Sequence, residues 1–385
     1  MDWTAVWMTA PHLPSKTATP NWSVAGFADQ TLRQVVRVSD GGATTRVRLT
    51  NRYGTTALEV AGATIARSGH NGSILLDTVR TLAMDESPSF RIAPGAEVAT
   101  DPVPFALAPL ESITITLYFA EPTGPATQHA QALATTYRAE GDHRADPTAD
   151  AFTETTRSWY YLAGVDVQNV YPPRAGVVAF GDSITDGVGS MPDSDNRFPD
   201  ELAERLAFAG AARPILNAGI SGNRITVDST TLGDAGVRRF RHDVLDQPGV
   251  GTVIIFEGIN DIGLSRDVPG AGDPAVPVST AQLIAGLRDL LDQARSRGLR
   301  VIGATILPYL GSPYSSAGEP TRDAVNDWIR SSGEYDAVLD FDRLLADPTD
   351  PDRMNPAFDS GDHLHPNDAG YRAMAAAVRQ ADLRQ

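Results

Sequence analysis

The 385-residue chain contains no cysteine and a single lysine, Lys16, so 31 of its 32 basic residues are arginine. The first absence removes thiol nucleophiles, iron–sulfur clusters, thiolate zinc sites and disulfides. The second leaves Schiff-base and P-loop lysine chemistry with almost no residue to use. Positive charge is outweighed overall, and the net charge is −16. A general nucleic-acid binder needs a basic face to meet phosphates. The arginines of VRRFRHD (237–243) are the one candidate stripe, and they read as a helix face. No run approaches the roughly 20 apolar residues of a membrane-spanning helix. The N-terminal MDWTAVWMTAPHLP has neither a basic start nor an apolar core, so no signal peptide is visible. Two compartments stay open: the cytoplasm, or secretion with a leader already removed.

The composition that remains, 42% hydrophobic and 21% charged, is that of a globular protein. At one domain per roughly 100–200 residues, the length predicts two. Residues 1–170 read as β-rich. In TTRVRLTN (44–51), Val47 and Leu49 alternate with Arg46 and Arg48; in SITITLYF (112–119), Ile113, Ile115, Leu117 and Phe119 alternate with Thr and Tyr. Such alternation predicts strands with one buried face. Turn signals DGG (40–42), NG (71–72) and PG (94–95) punctuate them, giving a sandwich or jelly roll. Trp3, Trp7 and Trp22 serve equally as core residues or sugar platforms.

The pattern changes near YPPRAG (171–176). Apolar runs GVVAF (176–180), PILNAGI (214–220), GTVIIFEG (251–258), LRVIGATIL (299–307) and DAVLDFD (336–342) then alternate with helical segments over 171–385. Continuous apolar runs are those of parallel strands covered on both faces. Leu283, Leu287, Leu290, Leu291 and Ala294 form one helical stripe, capped by Ser279 or Thr280 and ended by Gly298. A last helix carries Tyr371, Met374, Ala375 and Val378. The order predicts a doubly wound, mostly parallel α/β domain, with DVPGAGDPAVPV (267–278) as a loop.

Ligands of such sheets sit beyond the carboxyl ends of strands. Four polar clusters follow predicted strands or precede the last helix: Ser183 after VVAF, ISGN (220–223), GIND (258–261) and DSGDHLHPN (359–367). A serine hydroxyl becomes a nucleophile only beside a base held by a third group. Asp362 and His365, three apart, can share one side of a turn, leaving the imidazole to face Ser183. Pro366 suits a first helical turn and puts His365 at a helix start. Gly222, the Asn260 amide and the Ser183 N–H offer three donors for an oxyanion hole.

These segments, GDSITDG, NAGISGN, GIND and DHLHPN, resemble the blocks of the SGNH (GDSL) hydrolase superfamily over roughly 174–385. The resemblance implies a flavodoxin-like three-layer α/β/α domain that hydrolyses carboxylic esters without metal or cofactor. It implies Ser183 as nucleophile, Asp362 and His365 as the rest of a triad, and Ser183, Gly222 and Asn260 as oxyanion donors. A β-rich half ahead of SWYYLAGVDV is similar to a bacterial arylesterase and acylhydrolase branch. It is also similar to carbohydrate deacetylases with a jelly roll before the SGNH domain. The expected partner is a small-molecule or carbohydrate ester, with short acyl groups such as acetyl as the default; oligomeric state is open.

Rival readings exist. Ser183 alone could be a helix cap, and Ser221 another nucleophile, although GISGN is not a G-x-S-x-G elbow. Asn260 and Asp261 could be turn formers, with Asp261 bracing its loop and Asp182 structural. His363 competes with His365 as base, and DHLH is too sparse for a metal site. His12, His70, His129, His143 and His242 read as surface or loop residues. The loops 262–280 and 308–322, with Tyr309 and Tyr314, are expected to shape the pocket. An acyltransferase to a sugar or alcohol, or a polysaccharide-binding protein with secondary catalysis, are the competing functions.

Overall fold

β-Branched residues suit a pleated surface, where their restricted χ1 costs little and their bulk packs well. In the first half of the chain, among the described residues, they build two large antiparallel sheets beside two short two-stranded ones. The computed structural model describes residues 2–17, 20–169, 174–266, 268 and 275–383. It divides into two units, Met1–Pro173 and Arg174–Gln385. The expected boundary at 170/171 lies outside the described residues, as does most of the 267–278 loop.

In the first unit, one sheet runs in the spatial order Glu154–Thr156, Thr136–Glu140, Gln30–Arg37, Ser112–Phe119, Gly62–Arg67, Arg80–Leu82. The other runs Thr4–Met8, Leu162–Gln168, Thr44–Thr50, Glu97–Ala99. Leu32, Val36, Ile115 and Leu117 of the first sheet share one core with Val47, Leu49, Val165 and Val167 of the second. That is a sandwich. Trp7 belongs to this core and meets Trp159 edge-on at 5.0 Å.

Alternation in SITITLYF implied one buried face; both are buried. Thr114 and Thr116, on the side away from the core, are each only 1% exposed. The cover is organised by Arg33, which pairs with Thr116 across the strands. Its buried guanidinium donates to the carbonyls of Gly72, His143, Asp146 and Thr148 and lies 4.2 Å from the Phe152 ring centre. Desolvation lowers its pKa to about 10, so it remains a cation at neutral pH. Two of the histidines expected as surface or loop residues are buried. His129 lies in a short strand with Nδ1 at 3.0 Å from the Ala10 carbonyl, and His12 Nε2 accepts from the Ala130 N–H. Each satisfies a backbone polar group that would otherwise be orphaned in the core.

The second unit holds a five-stranded sheet, all parallel, in the order Ile215–Gly219, Gly176–Gly181, Val250–Phe256, Arg300–Ala304, Ala337–Leu339. Val253 and Ile254, neighbours with side chains on opposite faces, are both fully buried. Helices Phe198–Phe208 and Asp368–Ala377 pack together, and Thr280–Ser296 packs with Glu319–Ser331. This is a three-layer α/β/α domain with flavodoxin-like strand order. Helix Thr280–Ser296 opens with a capping box between Ser279 and Gln282 and buries the predicted leucine stripe. The chain leaves Gly176–Gly181 to one neighbour and returns to the other, opening a crevice at their carboxyl ends. Among the described residues, no helix is long and apolar enough to cross a membrane.

Candidate active site

Strand Gly176–Gly181 ends in a one-turn helix, Ser183–Asp186, whose cap is Asp182: its carboxylate accepts from the Ile184 N–H at 3.0 Å. Ser183 is thus held at the first helical position, at the crevice, and is 6% exposed.

Far along the chain, residues 359–366 close on themselves. Ser360 N–H donates to the His365 carbonyl, and Asp359 bridges to Pro366. Inside this turn Asp362 Oδ1 accepts from the backbone N–H of Leu364 (2.9 Å) and His365 (2.8 Å), while Oδ2 lies 2.6 Å from His365 Nδ1. His365 Nε2 lies 2.8 Å from Ser183 Oγ. An ionised carboxylate can only accept, so Nδ1 carries the proton and Nε2 is left to accept from the serine hydroxyl. Partial burial opposes charge on Asp362. The hydrogen bond and charge of His365, with the two backbone donors, outweigh it and hold Asp362 well below the usual carboxylate range.

His365 does not open the last helix. Asn367 caps it, accepting from the Gly370 N–H, and Pro366 is spent on the bridge to Asp359. His363 faces elsewhere. Its Nδ1 lies 2.6 Å from Asp359, its ring is half exposed, and it borders a cavity of about 430 Å³ with Arg353 and Met354. The two histidines therefore hold different carboxylates. The metal-like acidic cluster among the described residues is Glu319, Asp323 and Asp352, which includes neither histidine and already pairs with Arg322.

The loop after Ile215–Gly219 is tied to the serine turn. Ile220 N–H donates to the Gly181 carbonyl, and Ser221 donates from both N–H and Oγ to Asp186 Oδ2. Ser221 is thereby committed as a donor. Gly222 adopts φ +79°, which favours glycine, and a Cβ there would lie 2.6 Å from Leu232 Cδ2. Asn260, 2% exposed, donates from Nδ2 to the Asn223 carbonyl at 3.0 Å. Asp261 accepts from Ile225 N–H and from Thr226 Oγ1, bracing the same loop. Among the described residues, no hydrogen bond occupies the N–H of Ser183 or of Gly222.

Sequence reasoning missed what lies beneath. Arg239, taken as part of a helix face, is 2% exposed. It donates to the carbonyls of Gly181 and Ala218 and to Asn223 Oδ1, pairs with Asp243 at 2.9 Å, and lies 4.1 Å from the Phe180 ring centre. One cation thus ties the serine strand to the Gly222 loop. The i, i+4 spacing of Arg239 and Asp243 was the available signal. Glu257 is buried beside it, 3.5 Å from Arg239, and neither carboxyl oxygen has a hydrogen-bond partner among the described residues. Burial first, then the charge of Asp182, raises its pKa well above the usual range. Burial likewise pushes Asp182 up to about 7, against the Ile184 N–H and His365.

A family model described as GDSL-like lipase/acylhydrolase matches residues 179–373. None of the curated proteins matches this chain. Three solved structures are similar to part of it. A GDSL-like lipase from Bacteroides thetaiotaomicron is 20% identical over 55% of this chain and 91% of its own, with a TM-score of 0.40. An acetyl xylan esterase from Geobacillus stearothermophilus is 22% identical over 53% and 92%, with a TM-score of 0.39. AlinE4, an SGNH-hydrolase family esterase, is 24% identical over 54% and 94%, with a TM-score of 0.36.

Proposed function

Since the chain belongs to the GDSL-like lipase/acylhydrolase family and is a carboxylic-ester hydrolase, we propose that it works through a Ser183–His365–Asp362 triad on short-acyl esters. Acetylated carbohydrates and small aryl esters are the intended class. The observation that carries this reading is the unbroken relay from Asp362 to His365 to Ser183, at 2.6 and 2.8 Å.

Ser183 Oγ attacks the ester carbonyl while His365 Nε2 takes its proton. Negative charge then develops on the carbonyl oxygen. The N–H groups of Ser183 and Gly222 and the Asn260 amide receive it; removing one such donor typically costs about 2.7–4 kcal/mol. His365 returns the proton to the departing alcohol, leaving an acyl group on Ser183. Water repeats the sequence and releases the acid. Asp362 fixes the imidazole tautomer and stabilises the imidazolium that forms in both halves.

The test is hydrolysis of aryl esters of rising chain length, alongside acetylated sugars, by wild type and Ser183→Ala. Wild type is expected to prefer the shortest esters, and a folded Ser183→Ala to fall to background. Turnover undiminished in that variant would end this reading.

A further inference from the structure

A carboxamide makes a useful oxyanion donor only when its nitrogen, not its oxygen, faces the reacting carbonyl. The two orientations of an asparagine differ by a rotation about χ2, so something must choose between them. At Asn260 both ends are engaged: Nδ2 donates to the Asn223 carbonyl at 3.0 Å, and Oδ1 accepts from the Tyr314 hydroxyl at 2.5 Å. Rotation by half a turn would set Oδ1 against a carbonyl oxygen. We propose that Tyr314 is a positioning residue for catalysis, holding Asn260 with one Nδ2–H free for the oxyanion. This rests on the reading of Asn260 as an oxyanion donor.

The hydroxyl is delivered by a ring with little freedom. Tyr314 lies against Gly263, at the end of the same short helix, Ile259–Gly263, that carries Asn260. A Cβ on Gly263 would come within 2.2 Å of Tyr314 Cδ2 and 2.3 Å of Cε2, so this approach requires glycine. Tyr309 closes another side edge-on, with ring centres 6.2 Å apart. Burial first, then the negative charge of Asp182, raises the Tyr314 phenol above its ordinary range, so it stays a donor. A donor on Oδ1 also polarises the amide and strengthens its remaining N–H. Nothing in GSPYSSAG (311–318) signals this role, because the partner lies 54 residues away.

The experiment is a double-mutant cycle on an aryl acetate with wild type, Tyr314→Phe, Asn260→Ala and the double variant. It reads kcat and KM separately, with thermal melting as the fold control. Tyr314→Phe removes one oxygen and keeps the ring. Its kcat is expected to fall about tenfold with KM nearly unchanged, since the lost interaction acts in the transition state. Asn260→Ala should lose about 10²–10³ in kcat, and adding Tyr314→Phe to it should cost nothing more. Undiminished kcat in Tyr314→Phe, or an equal penalty in both backgrounds, would overturn the proposal while leaving Asn260 as donor. Full kcat in Asn260→Ala would instead overturn the oxyanion reading, and the proposal with it.

Discussion

Replacing Asp362 with asparagine changes one atom and tests the electrostatic logic of the site. The carboxylate serves three donors: the N–H of Leu364, the N–H of His365 and His365 Nδ1. An amide has one oxygen. If that oxygen keeps the two backbone donors, the NH₂ group faces Nδ1, and the imidazole proton must move to Nε2. His365 then points a proton at Ser183 and cannot take one. If the oxygen instead faces Nδ1, the tautomer is correct, but NH₂ meets two backbone N–H groups. Those partly exposed donors cost about 1 kcal/mol each, so the competent arrangement is a minority state. Losing the charge-assisted bond to the imidazolium adds about 2 kcal/mol. The sum, roughly 4 kcal/mol, corresponds to about a thousandfold in kcat at about 1.4 kcal/mol per decade. Stability should change little, because the Asp362 side chain is 45% exposed and its ion pair is screened. The assay is steady-state hydrolysis of an aryl acetate, with thermal melting as control. A kcat within tenfold of wild type would refute the tautomer argument.

Two further outcomes follow from neighbouring groups. His363 holds Asp359 rather than Ser183, so His363→Ala should keep kcat within about threefold, whereas His365→Ala should lose about 10⁴ or more; comparable losses in both would reassign the base. Asp182 binds its proton up to about pH 7 when folded but only to about 3.8 when unfolded. Across that window the folded state holds the extra proton, so stability falls as pH rises, by roughly 4 kcal/mol at most. Asp182→Asn keeps an oxygen for the Ile184 N–H and cannot ionise. Its melting temperature should gain on wild type between pH 4.5 and 7.5, and parallel curves would show that burial does not raise this carboxyl.

Much of the architecture was readable because its signals are local. Continuous apolar runs such as VVAF and TVIIF mark strands covered on both faces, and the Leu283–Ala294 stripe marks a helix without ambiguity. What escaped depends on distant segments. Thr114 and Thr116 look like an exposed face until Ser68 meets Thr114 and Arg33, beside Thr116, gathers the carbonyls of His143, Asp146 and Thr148. Arg239 looks like a solvated arginine until Gly181, Ala218 and Asn223 converge on it. His365 misled in a smaller way: Pro366 is a fair helix-start signal, but Asn367 has the side chain that caps the first turn. Of the site, the Asp362–His365 spacing was visible as a local turn. The support of Asn260 by Tyr314 was not, since a tyrosine in a loop carries no sign of its partner.

Catalysis here depends on an activated Ser183, and covalent labelling reads that activation directly. The intact protein, treated with an aryl phosphonate and analysed by peptide mass spectrometry, should carry one adduct per chain on Ser183, with labelling slowed at least about a hundredfold in His365→Ala. An adduct on another residue, such as Ser221, or labelling that proceeds equally fast without His365, would contradict it.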